Sequence, residues 1–292
     1  MELLSEVITT PPRHASSVVL LREGAQGPEV FLVKRHGLSD VLGGAYVFPG
    51  GKLDDSDAQL DAATRLDQSA QAMHQALAEP ETPVDVACGL YVAALREAFE
   101  ESGVLFAEGA TPQHSLQALQ LLKEGLDFNT MLERLQLRLQ TRAVQPWSRW
   151  ITPKLASVSA KRFDTRFFVA ALPDGQVAQH DNFEATESTW LTPRAALEQY
   201  WDRQIELAPP QIMGLSHLTR YASVAQALQE ARRTPPPLIE PQPFDRDGER
   251  VLTYPGDPRH SEPRRALPGP TRLVHRNRRF EPEDGFQALL LR

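Results

Sequence analysis

Residues 96–104 of the 292-residue chain read Arg-Glu-Ala-Phe-Glu-Glu-Ser-Gly-Val. Glu97 stands three residues before Glu100 and four before Glu101, so on a helix the three carboxylates share one face. Like charges at that spacing cost an isolated helix roughly 0.2–0.5 kcal/mol per pair, so a positive partner is expected beside them. A bare Glu-x-x-Glu-Glu is usually a solvated acidic face. An all-oxygen cluster, however, suits a hard cation such as Mg²⁺ or Mn²⁺ rather than zinc, which prefers His and Cys. Magnesium keeps several waters and bridges to phosphate oxygens, which directs attention to phosphoryl substrates. A second feature, Gly50-Gly51, lies far upstream and permits a tight turn and close backbone approach.

The elements that must position these groups are legible in outline. Ala15 to Leu21 and Glu29 to Lys34 are β-branched, apolar runs separated by Gly24 and Gly27-Pro28, and read as paired strands. Tyr46-Val47-Phe48 is a third, stopped by Pro49-Gly50-Gly51. Asp57 to Pro83 has helical spacing at Leu60, Ala63, Leu66 and Ala70. Asp85 is a candidate cap for a helix to about Ser102, in which Cys88, Val92, Leu95 and Phe99 form a core stripe. Gly103 ends it as a left-handed residue would. Ser115 to Gln140 predicts packing helices with Leu116, Leu119, Leu122, Leu126, Leu132, Leu135 and Leu139 inward. Strands return at Trp150 to Thr152, Arg166 to Leu172 and Glu187 to Leu191, and Thr192-Pro193 opens a helix. Further helices are expected between Pro209 and Thr219 and from Ser223 to Arg232.

After Arg233 the composition shifts to proline and mixed charge. Arg250 to Tyr254 and Thr271 to His275 would pair as an appended hairpin, the alternative being an extended polyproline-like linker. The expected division is therefore 1–233 as a catalytic domain and 234–292 as a Pro-rich C-terminal extension.

The formal charge of −7 supplies no field for phosphate-rich polymers or anionic membranes, so nucleic acid and lipid are poor first partners. Cys88 is the sole cysteine, which excludes an intramolecular disulfide and a thiolate zinc cluster, and its apolar neighbours make it a core residue rather than a nucleophile. No run is long enough to cross a bilayer, and Met1 to Pro12 lacks a signal-peptide pattern, so the cytoplasm is the expected compartment.

Gly51, Asp57 and the run from Arg96 to Val104 resemble the nudix box, Gly-x5-Glu-x7-Arg-Glu-U-x-Glu-Glu-x-Gly-U with U apolar. Two departures stand out. Asp57 replaces the first glutamate, and Ala58 to Leu95 replaces the seven-residue spacer. The interrupted box is similar to that of the peroxisomal coenzyme A diphosphatase subgroup, a similarity that extends through Val47 to Gly51, Lys161 to Phe168 and Glu184 to Leu191. The resemblance implies an α+β nudix fold, a mixed β-sheet sandwiched between helices, with a helical insertion at 58–95. It implies Mg²⁺ or Mn²⁺ held by Glu97, Glu100, Glu101 and the Gly50 carbonyl. Arg96 would pair with Asp57 and, with Gly51 and Gly103, brace the box.

A distal acid preceding a late strand is expected to act as ligand or base: Glu184, with Glu187 in reserve. Glu97 and Glu100 are both open as the catalytic base. Arg35, Lys161 and Arg162 are candidate phosphate grips. The implied substrate is a small nucleotide-containing molecule, coenzyme A or its thioesters first, then ADP-ribose, a dinucleotide or a nucleotide sugar. A non-catalytic nucleotide-binding module is the rival of another class, disfavoured because all three box glutamates are present. A monomer or homodimer is expected. The first part of the insertion, near Asp61 to Ala78, is expected to form a helix beside the mouth of the site and restrict leaving groups.

Overall fold

A computed structural model describes residues 7–37, 42–155, 161–181 and 185–291. The chain begins with β1 (Arg13–Gly24), β2 (Gly27–Arg35), β3 (Tyr46–Val47) and β4 (Gly50–Lys52). The interruption follows as a 3-10 turn (Asp57–Gln59) and two short helices, α1 (Ala62–Arg65) and α2 (Ala70–Leu77). Next come α3 (Val84–Ser102), α4 (Pro112–Lys123) and α5 (Phe128–Arg134), then β5 (Val144–Ile151), β6 (Phe163–Ala171) and β7 (Ala185–Leu191). α6 (Pro193–Trp201), α7 (Pro209–Leu218) and α8 (Val224–Arg233) complete the helices. The remainder forms β8 (Leu238–Ile239), β9 (Gln242–Arg246), β10 (Glu249–Thr253), β11 (Arg272–Arg276) and β12 (Arg279–Pro282).

Among the described residues the main sheet runs β3-β2-β1-β6-β5-β8, with β4 also on β1 and β7 also on β2. It is mixed, because β1 pairs in parallel with β6 and antiparallel with β2 and β4. Strand alternation sends neighbouring side chains to opposite faces. Val18, Leu20, Phe31, Val33 and Phe168 therefore join one core with α3, α2 and α5. Val19, Leu21, Val30, Leu32 and Val169 join a second core with α6, α7 and α8. The sheet is thus covered on both faces, the α+β sandwich expected.

The long helix α3 is set between this sheet and the inserted segment. Fourteen of its residues are buried, including Cys88, whose thiol is pushed up to about 11 by burial and, secondarily, by Asp85. Gly103 closes it in the left-handed region at φ 71°, donating its N–H to Phe99 O at 2.7 Å. Its start differs from the sequence reading: Pro83 occupies the cap position and Asp85 lies within the first turn. In the following helical stretch, Leu116 is exposed rather than buried, because α4 turns Ala118 inward instead.

The insertion is helical, but it does not stand where the sequence led us to expect. α2 lays Met73 and Leu77 into the same core as Leu90 and Tyr91 of α3. Beyond it, Glu79 accepts from the buried Arg166 at 2.5 Å and pairs with Arg149 at 3.0 Å, while Arg149 forks onto Asp164 at 2.9 and 2.8 Å. Burial works against the charge on Asp164, but bonds from His14 and Arg149 and the nearby guanidinium of Arg166 outweigh it and hold the carboxyl well below the usual range. The segment is thereby clamped to β5 and β6.

The C-terminal segment is not a linker. β9, β10, β11 and β12 form a four-stranded antiparallel sheet in the order β12-β11-β10-β9, in which the expected hairpin partners Val251 and Val274 are in register. Leu252, Tyr254, Leu273, Phe280 and Leu289 enter the second core beside α6 and α7, so the boundary at 233 separates composition, not packing. The sequence pattern concealed this because alternating apolar positions were few and the partner was a distant helix layer. Among the described residues no helix is long and apolar enough to cross a membrane.

Candidate active site

The glycine turn and the glutamate helix meet across the interruption. β4 is held against β1 by pairing of Ser17 with Gly50 and Ser16 with Gly51. A Cβ on Gly50 would lie 2.5 Å from Ser16 O and 2.6 Å from Ser17 Cα, a collision with backbone. A Cβ on Gly51 would lie 2.3 Å from Glu97 Oε1, so this glycine makes room for the carboxylate itself. Gly50 N donates to Glu101 Oε2 at 3.0 Å, bringing the buried Glu101 against the turn.

Arg96 organises the rest. Its Nε and Nη2 fork onto Asp57 Oδ1 and Oδ2, both at 2.8 Å, and Nη2 also donates to Lys52 O at 3.1 Å. Its Nη1 donates to Glu97 Oε1 at 2.7 Å and to Glu100 Oε2 at 3.1 Å. The shorter aspartate spans the gap because Asp57 sits on the 3-10 turn, 1% exposed, where it also accepts from Asp54 N at 2.9 Å. Burial alone would lower the guanidinium's affinity for its proton, but the bond to Asp57 and the charges of Glu97, Asp57 and Glu100 reverse this and raise it. The Glu100 carboxyl is raised above its ordinary range, chiefly by burial and against the pull of Arg96.

Among the described residues no three His, Cys, Asp or Glu side chains are gathered tightly enough to hold a metal in their present rotamers. The donor set still fits a hard cation. Glu97 and Glu100 converge on a positive nitrogen, Glu101 is drawn to the adjacent turn, and all the candidate donors are oxygen. Gly51 leaves the Cβ-sized space on which that convergence depends.

A cleft of about 500 Å³ opens from this point. Gly50, Gly51 and Glu97 line it, and Arg13, Arg35, Lys52 and Lys161 supply positive charge around it. Arg35 Nη1 stands 4.0 Å from Glu101 Oε1. Of the expected phosphate grips, then, Arg35 and Lys161 face the cleft. Arg162 does not: it is buried, with Nε donating to Thr152 O at 2.9 Å and Nη1 to Thr10 O at 3.3 Å, a backbone staple rather than a grip. Glu187 is also absent from the lining, being a largely exposed strand residue that pairs with Lys34 at 3.4 Å. Glu184 lies outside the described residues. No residue of the insertion between 58 and 83 lines the cleft, in contrast to the expectation of a gate at its mouth.

Sequence reading missed Arg13 and Lys52, and it missed the apolar wall of Phe48, Trp150, Phe167, Pro241 and Leu252. Lys52 had a detectable signal, its place directly after Gly50-Gly51. Arg13 had none, because the β1–β6 parallel pairing that sets it beside Phe163 joins distant segments.

The mixed sheet with a glycine turn docked on a glutamate helix defines the class as a nudix fold. The crystal structure of a nudix hydrolase from Alicyclobacillus acidocaldarius matches it with TM-score 0.61 and 25% identity, covering 78% of this chain and 98% of that one. The sequence also matches the NUDT19 nudix domain over residues 63–218, more than half of the chain. The acyl-coenzyme A diphosphatase NUDT19 of Gallus gallus is 30% identical over 265 residues, 73% of this chain and 69% of the relative. That of Xenopus laevis is 29% identical over 231 residues, 67% of this chain but only 61% of the relative's length. The chain belongs to the NUDT19 nudix family. The domain match ends with α7, so the C-terminal sheet lies beyond it.

Proposed function

We propose that this protein hydrolyses the pyrophosphate linkage of a nucleoside diphosphate derivative with the help of Mg²⁺ or Mn²⁺. Coenzyme A or an acyl-coenzyme A is the leading substrate, giving 3′,5′-ADP and phosphopantetheine or its acyl form. The observation that carries the reading is the assembly of Glu97 and Glu101 against Gly51 and Gly50 across the interruption, braced by Arg96 on Asp57. The names of the avian and amphibian relatives support the coenzyme A choice.

Glu97, Glu100, Glu101 and the Gly50 carbonyl would hold the cation once Arg96 Nη1 yields Glu97 and Glu100. When bound, such an ion supplies Lewis-acid polarisation of the phosphoryl group and offsets charge on the leaving phosphate. Arg35 and Lys161 would orient the diphosphate and offset charge as the P–O bond breaks. A carboxylate, Glu97 or Glu100, would take the proton of the attacking water. Asp57, bonded to Nε and Nη2, would keep Arg96 anchored at the site while Nη1 releases the two glutamates.

The test is a panel of coenzyme A, acyl-coenzyme A, ADP-ribose, NADH and nucleoside triphosphates with Mg²⁺ or Mn²⁺, products identified by mass. Release of 3′,5′-ADP from the coenzyme A substrates is expected. Turnover confined to ADP-ribose or NADH would move the assignment to the alternative diphosphates, and turnover of none would refute it.

A further inference from the structure

Part of the cleft is walled by apolar groups from two sources. Trp150 and Phe167 come from the main sheet, and Pro209 and Pro210 from the first turn of α7. Pro241 and Leu252 come from the C-terminal segment, beyond the matched nudix domain. Within this surface stands Gln211. It lines the cleft, is only 6% exposed, and its Oε1 has no hydrogen-bond partner. Among the described lining residues it is the buried side-chain oxygen left in that condition. No side chain caps α7, which opens with Ala208 at its cap position and two prolines.

A buried amide oxygen without a donor costs stability, and leucine or methionine would fill the same volume without that cost. The oxygen is an acceptor, so the missing partner is a donor; the oxygen itself is shielded, and a side-chain rotation would present it to the cleft that Gly50, Gly51 and Glu97 also line.

We infer that Gln211 is a specificity-determining residue: its amide accepts an N–H of the substrate, in an apolar arm completed by Leu252 and Pro241 of the C-terminal sheet. The inference rests on the pyrophosphatase reading and adds to it the chemistry of the group recognised. Two parts of a coenzyme A substrate present such an N–H, the amides of the pantetheine arm and the exocyclic amine of adenine. A site built around a hydrogen bond discriminates strongly against an analogue that lacks the donor, because the buried group is then left unpaired.

Three substrates separate the sources: coenzyme A, an analogue with ester linkages in place of the pantetheine amides, and an analogue with hypoxanthine in place of adenine. kcat/KM is measured for each with the full chain and with Gln211→Leu and Gln211→Met, the second keeping the length of the side chain. The unmutated protein is expected to prefer coenzyme A over one of the two analogues by about tenfold or more, mainly through KM. In both variants that one preference should fall to about twofold or less, which names the donor. Melting temperatures equal to or above that of the unmutated chain are expected, since an unpartnered amide is being removed. If both variants fold and both preferences survive, the inference is wrong while the pyrophosphatase reading stands. A melting temperature lowered by several degrees in both variants would assign Gln211 to structure and overturn it too. Inactivity of the unmutated protein on all three substrates would defeat the underlying reading, and this inference with it.

Discussion

The charged and the apolar parts of the cleft are built by opposite means. In the first, charge fixes geometry: Arg96 is forked on Asp57 through Nε and Nη2 and reaches both Glu97 and Glu100 through Nη1. In the second, shape does the work, with Trp150, Phe167 and Leu252, the last from the C-terminal sheet, packed in one core. An ion-paired arrangement tolerates almost no substitution of type, whereas an apolar wall accepts many side chains of suitable volume. Chemistry and selectivity should therefore separate under mutation.

The largest expected effects strike the charged brace and the apolar core once each. Asp57→Ala leaves Arg96 without its buried fork and should cost roughly 3–5 kcal/mol of stability together with activity. Leu273→Ala, which opens a cavity in the C-terminal sheet, should cost roughly 2–5 kcal/mol. Chemical denaturation monitored with a kcat measurement distinguishes them: the folded fraction of Leu273→Ala should turn over normally, and that of Asp57→Ala should not.

Next in size is the loss of one anionic oxygen. Glu100→Gln should lower kcat by at least about tenfold and up to about 10³ with little change in melting temperature, and excess EDTA should abolish turnover of the unmutated protein. Full activity in EDTA would contradict the metal-dependent mechanism. A smaller contrast lies within the glycine turn. Gly50→Ala meets backbone and should lower the melting temperature, whereas Gly51→Ala meets the end of the Glu97 side chain and should lower kcat while sparing stability. The smallest effect is expected on the insertion. Gln71→Ala and Gln75→Ala, on the exposed face of α2, should leave kcat/KM for coenzyme A and ADP-ribose within about twofold. A changed ratio between those substrates would restore the insertion as a gate.

The same contrast explains what the sequence disclosed. Glu97, Glu100 and Glu101 were visible because a helical period and one charge sign identify a face without knowledge of the fold. Gly103 and Thr192 announced helix ends through local backbone chemistry, and both stand there, Gly103 at φ 71° and Thr192 accepting from Ala195 N at 3.2 Å. The position of the insertion was hidden because its placement depends on Glu79 finding Arg166, a pair 87 residues apart in sequence. Arg162 misled because a basic residue before a strand looks the same whether it faces phosphate or, as here, the carbonyls of Thr10 and Thr152. Leu252 and Gln211 were illegible as site residues for a related reason: an apolar strand residue and a helical glutamine acquire meaning only when the C-terminal sheet and α7 are seen on one cleft.

The central claim is that the groups of the charged part of the cleft direct water to phosphorus. Hydrolysis of coenzyme A by the unmutated protein in ¹⁸O-water with Mg²⁺, followed by mass analysis of both products, measures this directly. The expected result is one ¹⁸O atom in the phosphate group of 3′,5′-ADP or of phosphopantetheine. Label found on a carbon-bound oxygen, with both phosphate groups unlabelled, would contradict it.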